Sequence, residues 1–368
     1  MNSIDMAGGI ALKHNSDSKY LSEEEKILLG VIQWLGIRPK DPETGETIIT
    51  EELKVRPTQD GIAAVSNRRL KAQNENVNCA ALLEALVQKK LLVFDEEIYT
   101  LTDAGRIIGK DVLAKWSSEY FDDILVRSAE SEAHASFCER VFGKNLCQFN
   151  VLDMEQLEAM LEILSLQPKD YVLDLGCGLG KIAEYIATKT GARVLGIDFA
   201  EKAIRWAQTH TQSLDGGLVF QVGDMNDLAL PPSTFDAIIA IDTLYSWNVA
   251  DQGATIGKLK TLLKPTGQMG IFHDQYQGTE PPDILKPENT EIGKALTKNG
   301  LLFETIDFTE NSHNFWRREL AVAQDLREIF EKEGNLDLCE ERIRDSKEQI
   351  DHHDNYQQRR YFYHVKLK

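Results

Sequence analysis

The sequence is short of the features that staple a fold, span a bilayer or grip a polyanion. Its 368 residues include five cysteines, Cys79, Cys138, Cys147, Cys177 and Cys339, an odd number with no Cys-x-x-Cys. That argues against a disulfide scaffold and a zinc knuckle. His134 and Cys138 stand one helical turn apart, but no second pair of ligands accompanies them, so no metal is expected. Unpaired thiols suit a reducing compartment, and a cytoplasmic protein is expected. No apolar run reaches the roughly 18 residues that a membrane span needs. Positive charge is scarce: 41 Lys and Arg face 59 Asp and Glu, for a net charge of −18. Broad binding to phosphate backbones depends on Lys and Arg, so no nucleic-acid partner is expected. Residues 1–18 lack the basic-then-apolar pattern of a leader, and residues 1–20 read as a flexible polar tail.

What is present is the balance of a globular protein, with 42% apolar and 27% charged residues. The length suggests two domains, each able to bury its own core. The text divides near residue 165. Before it the pattern is mostly helical; after it, strands and helices alternate as in a parallel α/β sheet.

In the first part, residues 21–35 read as a helix, with Ser22 as N-cap and Glu25 three residues on. Residues 38–58, rich in Pro, Gly, Thr and Glu, read as a loop. A second helix is expected over 78–90, then strands over 91–94 and 98–101 around the acidic turn Asp95-Glu96-Glu97, then a helix capped by Thr102. Helix, hairpin, helix over residues 21–115 resembles a winged-helix module. One reading is a DNA-binding regulator with a cofactor-sensing second domain. The helix before the hairpin offers only Lys89 and Lys90, however, the turn carries three acids, and Arg68-Arg69-Leu70-Lys71 lies in a poorly defined segment. The electrostatics favour the other reading, a dimerisation or substrate-covering domain; a homodimer is possible. Residues 116–165 read as a helical bridge or lid, with Phe137, Val141, Phe142 and Leu146 at near-helical spacing.

The chemistry is expected in the second part. Tyr171-Val172-Leu173-Asp174-Leu175 is a buried strand that runs into Gly176-Cys177-Gly178-Leu179-Gly180 and an amphipathic helix. A second strand ends at Asp198, twenty residues after Gly178, and Phe199-Ala200 leads into the next helix. Glycines allow a tight turn and close approach of a ligand to the backbone, and a carboxylate at the second strand's end can accept from both ribose hydroxyls. A dinucleotide reader wants a third glycine where this chain has Lys181, which disfavours a nicotinamide oxidoreductase.

The text VLDLGCGLG instead resembles the first motif of class I S-adenosylmethionine-dependent methyltransferases. The resemblance covers residues 166–368 and implies a Rossmann-like α/β fold with a seven-stranded sheet, S-adenosyl-L-methionine as cofactor and no required metal. It implies donor contacts from Asp174, Gly176, Cys177, Gly178, Gly180, Asp198 and Phe199, with Cys177 as packing rather than as a nucleophile. Asp224 would hold the adenine amino group and Met225 would pack on the base, after a third strand over 220–225. The fourth strand, 235–242, would aim Asp242 at the methionine portion. Residues 259–267 match the family's helix and turn before a fifth strand over 268–273; strands over 301–308 and 361–368 would follow, the last antiparallel. A long helical insertion, about 314–350, would separate them.

The implied reaction moves a methyl group to N, O or C of a small organic acceptor of natural-product or quinone type. Ligands gather at the carboxyl ends of strands in open α/β sheets. That places His273 as base or anchor, Tyr245 as a second catalytic candidate, and Trp247, Asp274, Trp316 and Arg317 as acceptor contacts. Each also has a plain structural reading: a backbone-bonded histidine, core aromatics, a solvated arginine. A nucleic-acid methyltransferase is disfavoured, because Ile241-Asp242-Thr243-Leu244-Tyr245 stands where an Asn/Asp-Pro-Pro-aromatic motif would hold a flipped base.

Overall fold

A computed structural model describes residues 20–37, 47–48, 54–73, 77–212, 217–245, 251–278 and 280–368. The chain divides into two compact units at residue 117.

The first unit contains α1 (Glu23–Ile37), a short pair β1 (Thr47–Ile48) and β2 (Lys54–Val55), α2 (Gln59–Gln73), α3 (Cys79–Gln88), and a hairpin of β3 (Leu92–Asp95) and β4 (Ile98–Leu101). The start of α4 (Asp103–Glu130) closes it. Helix α1 begins as its sequence says it should. The Ser22 amide donates to Glu25 Oε2 at 2.9 Å and the Glu25 amide to Ser22 Oγ at 3.2 Å, so two orphan donors satisfy each other. Leu28, Leu29, Leu35, Ile62, Leu83, Leu86 and Tyr99 fill the core. Residues 68–71, read as undefined in sequence, belong to the helix α2. Residues 38–58, read as a loop, include the β1–β2 pair. The winged-helix likeness rests on this element order alone.

In the second unit come the rest of α4, α5 (Glu132–Phe142), α6 (Met154–Leu164), β5 (Tyr171–Leu175), α7 (Lys181–Thr190), β6 (Arg193–Asp198), α8 (Glu201–His210), β7 (Leu218–Val222) and β8 (Phe235–Ile241). Then follow α9 (Gln252–Leu262), β9 (Leu263–Tyr276), α10 (Glu291–Lys298), β10 (Leu302–Asp307), α11 (Thr309–Lys332), α12 (Leu336–Asp354) and β11 (Gln358–Lys366). Seven strands form one sheet in the order β10-β11-β9-β8-β5-β6-β7. Strands β5, β6, β7, β8 and β9 pair in parallel, and β11 runs antiparallel to both β9 and β10. This is a Rossmann-like mixed sheet.

The apolar runs are continuous because both faces are covered. Val172 of β5 joins a core with α6, α7 and α8; its neighbour Leu173 points the other way, into a core with α9 and α10. A third core, built from Phe137, Phe142, Phe315, Phe330 and Cys339, joins α5, α11 and α12 and takes in Leu179 and Ala200 from the loops after β5 and β6.

Several element boundaries move; the last strand, expected over 361–368, runs Gln358–Lys366. The fifth strand of the sheet starts at Leu263, not at residue 268: Leu263 already pairs with Phe235 of β8, and a register shift separates that pair from Ala237–Gln268. The third strand stops at Val222, and Asp224 caps a short 3-10 turn beyond it. The insertion is larger than its apolar stripe suggested: two helices, Thr309–Lys332 and Leu336–Asp354, replace the expected 314–350. No described helix is long and apolar enough to cross a membrane.

Candidate functional site

The order of the sheet reverses beside β5, whose neighbours are β6 and β8. A crevice at the strands' carboxyl ends is expected at such a reversal. The glycine loop lies there. Gly176, Gly178 and Gly180 all have φ in the left-handed region, at +78°, +51° and +71°. A Cβ on Gly176 would overlap Thr243 Cγ2, and one on Gly180 would run into the Phe220 ring. At Gly178 the space is open, with Leu125 Cδ1 the nearest atom at 3.8 Å. The first and third glycines are thus required by packing, and the middle one leaves room against the backbone.

Two carboxylates flank the loop. Asp198 ends β6; its Oδ2 accepts from the Gly178 amide at 2.8 Å and its Oδ1 from the Ala200 amide at 2.9 Å. Burial, outweighing these bonds, holds its carboxyl above the usual range. Asp174, on β5, is 3% exposed, and its Oδ2 has no hydrogen-bond partner among the described residues. Burial and then the charge of Asp198 push its carboxyl up to about 7. An orphaned, desolvated carboxyl is costly, and sites of this kind are candidates for ligand binding. The Cys177 thiol is pushed well up by burial and by both carboxylates, so it is not a thiolate nucleophile. Its Sγ packs where a Cβ on Gly196 would lie.

Helix α4 shapes the far side of this loop. Asp122 Oδ1 accepts from the amides of Lys202, at 2.6 Å, and Ala203, at 3.2 Å, capping α8 from outside. Ser118 Oγ donates to the Phe199 carbonyl at 3.2 Å, and the Phe121 and Phe199 rings meet edge-on at 5.7 Å. Asp224 is exposed, its Oδ1 accepting from the Asn226 amide, and Met225 is half-buried against the α9–α10 core.

At the ends of β8 and β9 the site residues are held by one side chain that the sequence reading passed over. Arg360, in β11, is fully buried. Its Nη1 donates to Asp242 Oδ1 and Asp274 Oδ2, both at 2.8 Å, its Nη2 to Asp242 Oδ2 at 3.0 Å, and its Nε to Gln156 Oε1 at 2.6 Å. Asp242 Oδ2 also accepts from the Val151 amide at 3.0 Å and Oδ1 from the Tyr245 hydroxyl at 3.1 Å. Both oxygens of Asp242, expected at the methionine portion, thus have partners within the protein. The signal was present in Arg359-Arg360-Tyr361-Phe362-Tyr363, where a charge takes an inward position of a buried strand.

His273 and Tyr245 are brought together, ring centroids 4.9 Å apart, and both are buried. Burial pushes the imidazole down to about 4 and the Tyr245 phenol well up. At pH 7 the histidine is therefore neutral and a weak base, less suited to proton removal than an ordinary imidazole. Asp274, beside it, is pushed up to about 6 by burial, against the pull of Arg360. Trp316 is buried in the third core against Phe315. Arg317 is half-exposed and pairs with Asp354 at 2.9 Å, a surface ion pair between α11 and α12. Trp247 lies outside the described residues.

With this geometry in place, the comparisons with known proteins are informative. Residues 172–267 match the family described as methyltransferase domain. Phosphoethanolamine N-methyltransferase 3 of Arabidopsis thaliana is 33% identical over 205 residues, which cover 52% of this chain and 41% of that protein. Sterol 24-C-methyltransferase of Yarrowia lipolytica is 28% identical over 162 residues, covering 43% and 39%. The structure of Haemonchus contortus phosphoethanolamine N-methyltransferase 2, solved with phosphomonomethylethanolamine and S-adenosylhomocysteine, superposes with a TM-score of 0.54 at 18% identity, covering 67% of this chain and 60% of that one. At that identity the likeness is one of fold. The chain spans about two fifths of the length of these curated relatives. The residues that match that family, 172–267, run from β5 to the start of β9 of this Rossmann-like sheet.

Proposed function

We propose that this chain is an S-adenosylmethionine-dependent methyltransferase acting on a small organic acceptor. One observation carries the reading. Asp174 is a buried carboxyl with an unpartnered oxygen beside a glycine loop whose middle residue leaves space open. S-adenosylmethionine brings an ammonium, a sulfonium and a ribose, the cation and hydroxyls that Asp174 and Asp198 lack. The residues present thus fit the group. In this reading Gly176, Gly178 and Gly180 admit the donor, Asp174 answers its positive end, Asp198 accepts from the ribose, and Asp224 and Met225 border the base.

The bound donor would supply an already activated methyl group. What remains for the chain is alignment and exclusion of water. The third core, which reaches Leu179 and Ala200, roofs the loop and serves the second task. Neutral His273 and the Tyr245–Asp242 hydrogen bond line the acceptor side. They orient an acceptor that arrives as its neutral nucleophile, rather than deprotonating a resistant one. The acceptors in the relatives' names, phosphoethanolamine and sterols, support a small-molecule class without choosing between N, O and C. The domain limits read from sequence, 21–115, 116–165 and 166–368, belong to this same proposal.

The test is a methyl-transfer screen with labelled S-adenosylmethionine against phosphorylated and free amines, phenols, quinols and sterols. Transfer to one class identifies the acceptor. Calorimetry showing no binding of S-adenosylhomocysteine would overturn the reading. The DNA-binding alternative found no support in the comparisons, and the acidic hairpin turn opposes it.

A further inference from the structure

The end of β8 bends in a way that an ordinary residue resists. Asp242 has φ +52°, in the left-handed region that residues with a Cβ disfavour. The next residue, Thr243, presses on Gly176, where it leaves no room for a Cβ, and its hydroxyl donates to the Leu175 carbonyl at 3.3 Å. The first turn of the glycine loop therefore has its position set by the residue after the bend.

The bend is held by four donors on the Asp242 carboxylate: two arms of Arg360, the Val151 amide and the Tyr245 hydroxyl. The same guanidinium holds Asp274 of β9 and Gln156 of α6. Gln156 in turn donates to the Val151 carbonyl at 2.8 Å. One side chain thereby joins β8, β9, β11 and the segment before α6. Stability does not call for it. Buried ion pairs are weak stabilisers, since desolvation consumes the attraction, and apolar residues of similar volume often do as well or better. What a planar fork adds is fixed geometry, two carboxylates held at set angles.

We propose that Arg360 is a positioning residue for donor binding: its clamp on Asp242 fixes the β8 turn, and through Thr243 the turn fixes the glycine loop in its binding conformation. The proposal rests on the donor reading given above. Where only a fraction of molecules hold the competent loop, apparent affinity falls by that fraction. Arg360→Lys keeps the charge but loses the fork, and Arg360→Met loses both.

The probe is S-adenosylhomocysteine, titrated by calorimetry into the full chain at a temperature where circular dichroism shows every variant folded. Arg360→Lys is expected to weaken binding about tenfold and Arg360→Met more, since the conservative change rescues part of the effect. Leu296→Ala, in the α10 core on the other sheet face, is the control: it lowers Tm and should leave affinity within about twofold. Asp242→Asn, which keeps the shape and weakens the clamp, reads the same turn should an Arg360 variant fail to fold, and is expected to weaken binding. Wild-type affinity in folded Arg360 or Asp242 variants overturns the inference, as does an equal loss in Leu296→Ala. Absence of binding by the wild type would instead overturn the donor reading.

Discussion

Replacing Asp174 by Asn should make the ligand-free protein more stable while removing its donor affinity. The carboxyl titrates at about 7 in the fold against 3.8 as its ordinary value, because burial and then Asp198 oppose its charge. At 1.36 kcal/mol per pH unit the gap corresponds to about 4 kcal/mol of destabilisation once the group is ionised in both states, above pH 7. The sign follows from the raised value: protonated Asp174 stabilises the fold, and that contribution is lost as pH rises through 7. At pH 5 the folded carboxyl stays protonated and only the unfolded one ionises, so the penalty shrinks to about 1.6 kcal/mol. Asn carries no charge at either pH, though its buried amide costs about 1–2 kcal/mol of its own. The net gain should be about 2–3 kcal/mol at pH 8, roughly 5 °C in Tm for a unit of this size, and near zero at pH 5. Differential scanning calorimetry of both proteins at the two pH values reads it directly. No gain at pH 8, or the same gain at both, would refute the reasoning. So would unimpaired binding of S-adenosylhomocysteine by the variant.

Further expectations follow from the same crevice. Wild-type affinity for S-adenosylhomocysteine, measured by calorimetry, should fall by up to tenfold per pH unit below pH 7, as Asp174 protonates and no longer answers the ligand's ammonium. Gly180→Ala combines φ +71° with a collision against Phe220 and should cost about 2–4 kcal/mol in chemical denaturation. Gly178→Ala meets no close atom and should cost only the left-handed backbone, about 1–2 kcal/mol, while filling the space left for the ligand and weakening its binding. Arg317→Ala removes one half-exposed ion pair; unfolding free energy and turnover should both stay close to wild type, the first within about 0.5 kcal/mol by chemical denaturation.

The sheet was legible because its signals are local. The strand β5, its glycine turn and the acid twenty residues on are all fixed by short-range chemistry: buried β-branched residues, positive φ, a strand end. The antiparallel last strand was placed by the family resemblance, and it begins at Gln358 rather than at residue 361. Helix α2 was not legible, because Arg68, Arg69 and Lys71 blur its apolar stripe, though Ile62 and Leu70 are buried. Nor were the ion-pair partners of Asp242 and Arg317. Their positions in sequence suggested ligands, and only tertiary partners 118 and 37 residues away show what occupies their charges. A residue's chemistry can be read from its type, but the question of whether its valence is already spent is a long-range one.

That distinction separates the two pairs of buried acids in this domain. Asp242 and Asp274 share a guanidinium, and Asp242 accepts from a backbone amide and a phenol besides, although Asp274 Oδ1, like Asp174 Oδ2, has no hydrogen-bond partner among the described residues. Asp174 and Asp198 share none: Asp198 has two backbone amides, and one oxygen of Asp174 has nothing among the described residues. The two pairs sit on neighbouring strands of one sheet, so burial alone does not explain the contrast. Compensation within the fold suits a scaffold, since it makes a geometry permanent. A missing cation suits a binding site, because the stabilisation withheld in the free protein becomes available to whatever positive group arrives. The fixed pair would then hold the loop in place, and the uncompensated pair would select what the loop receives.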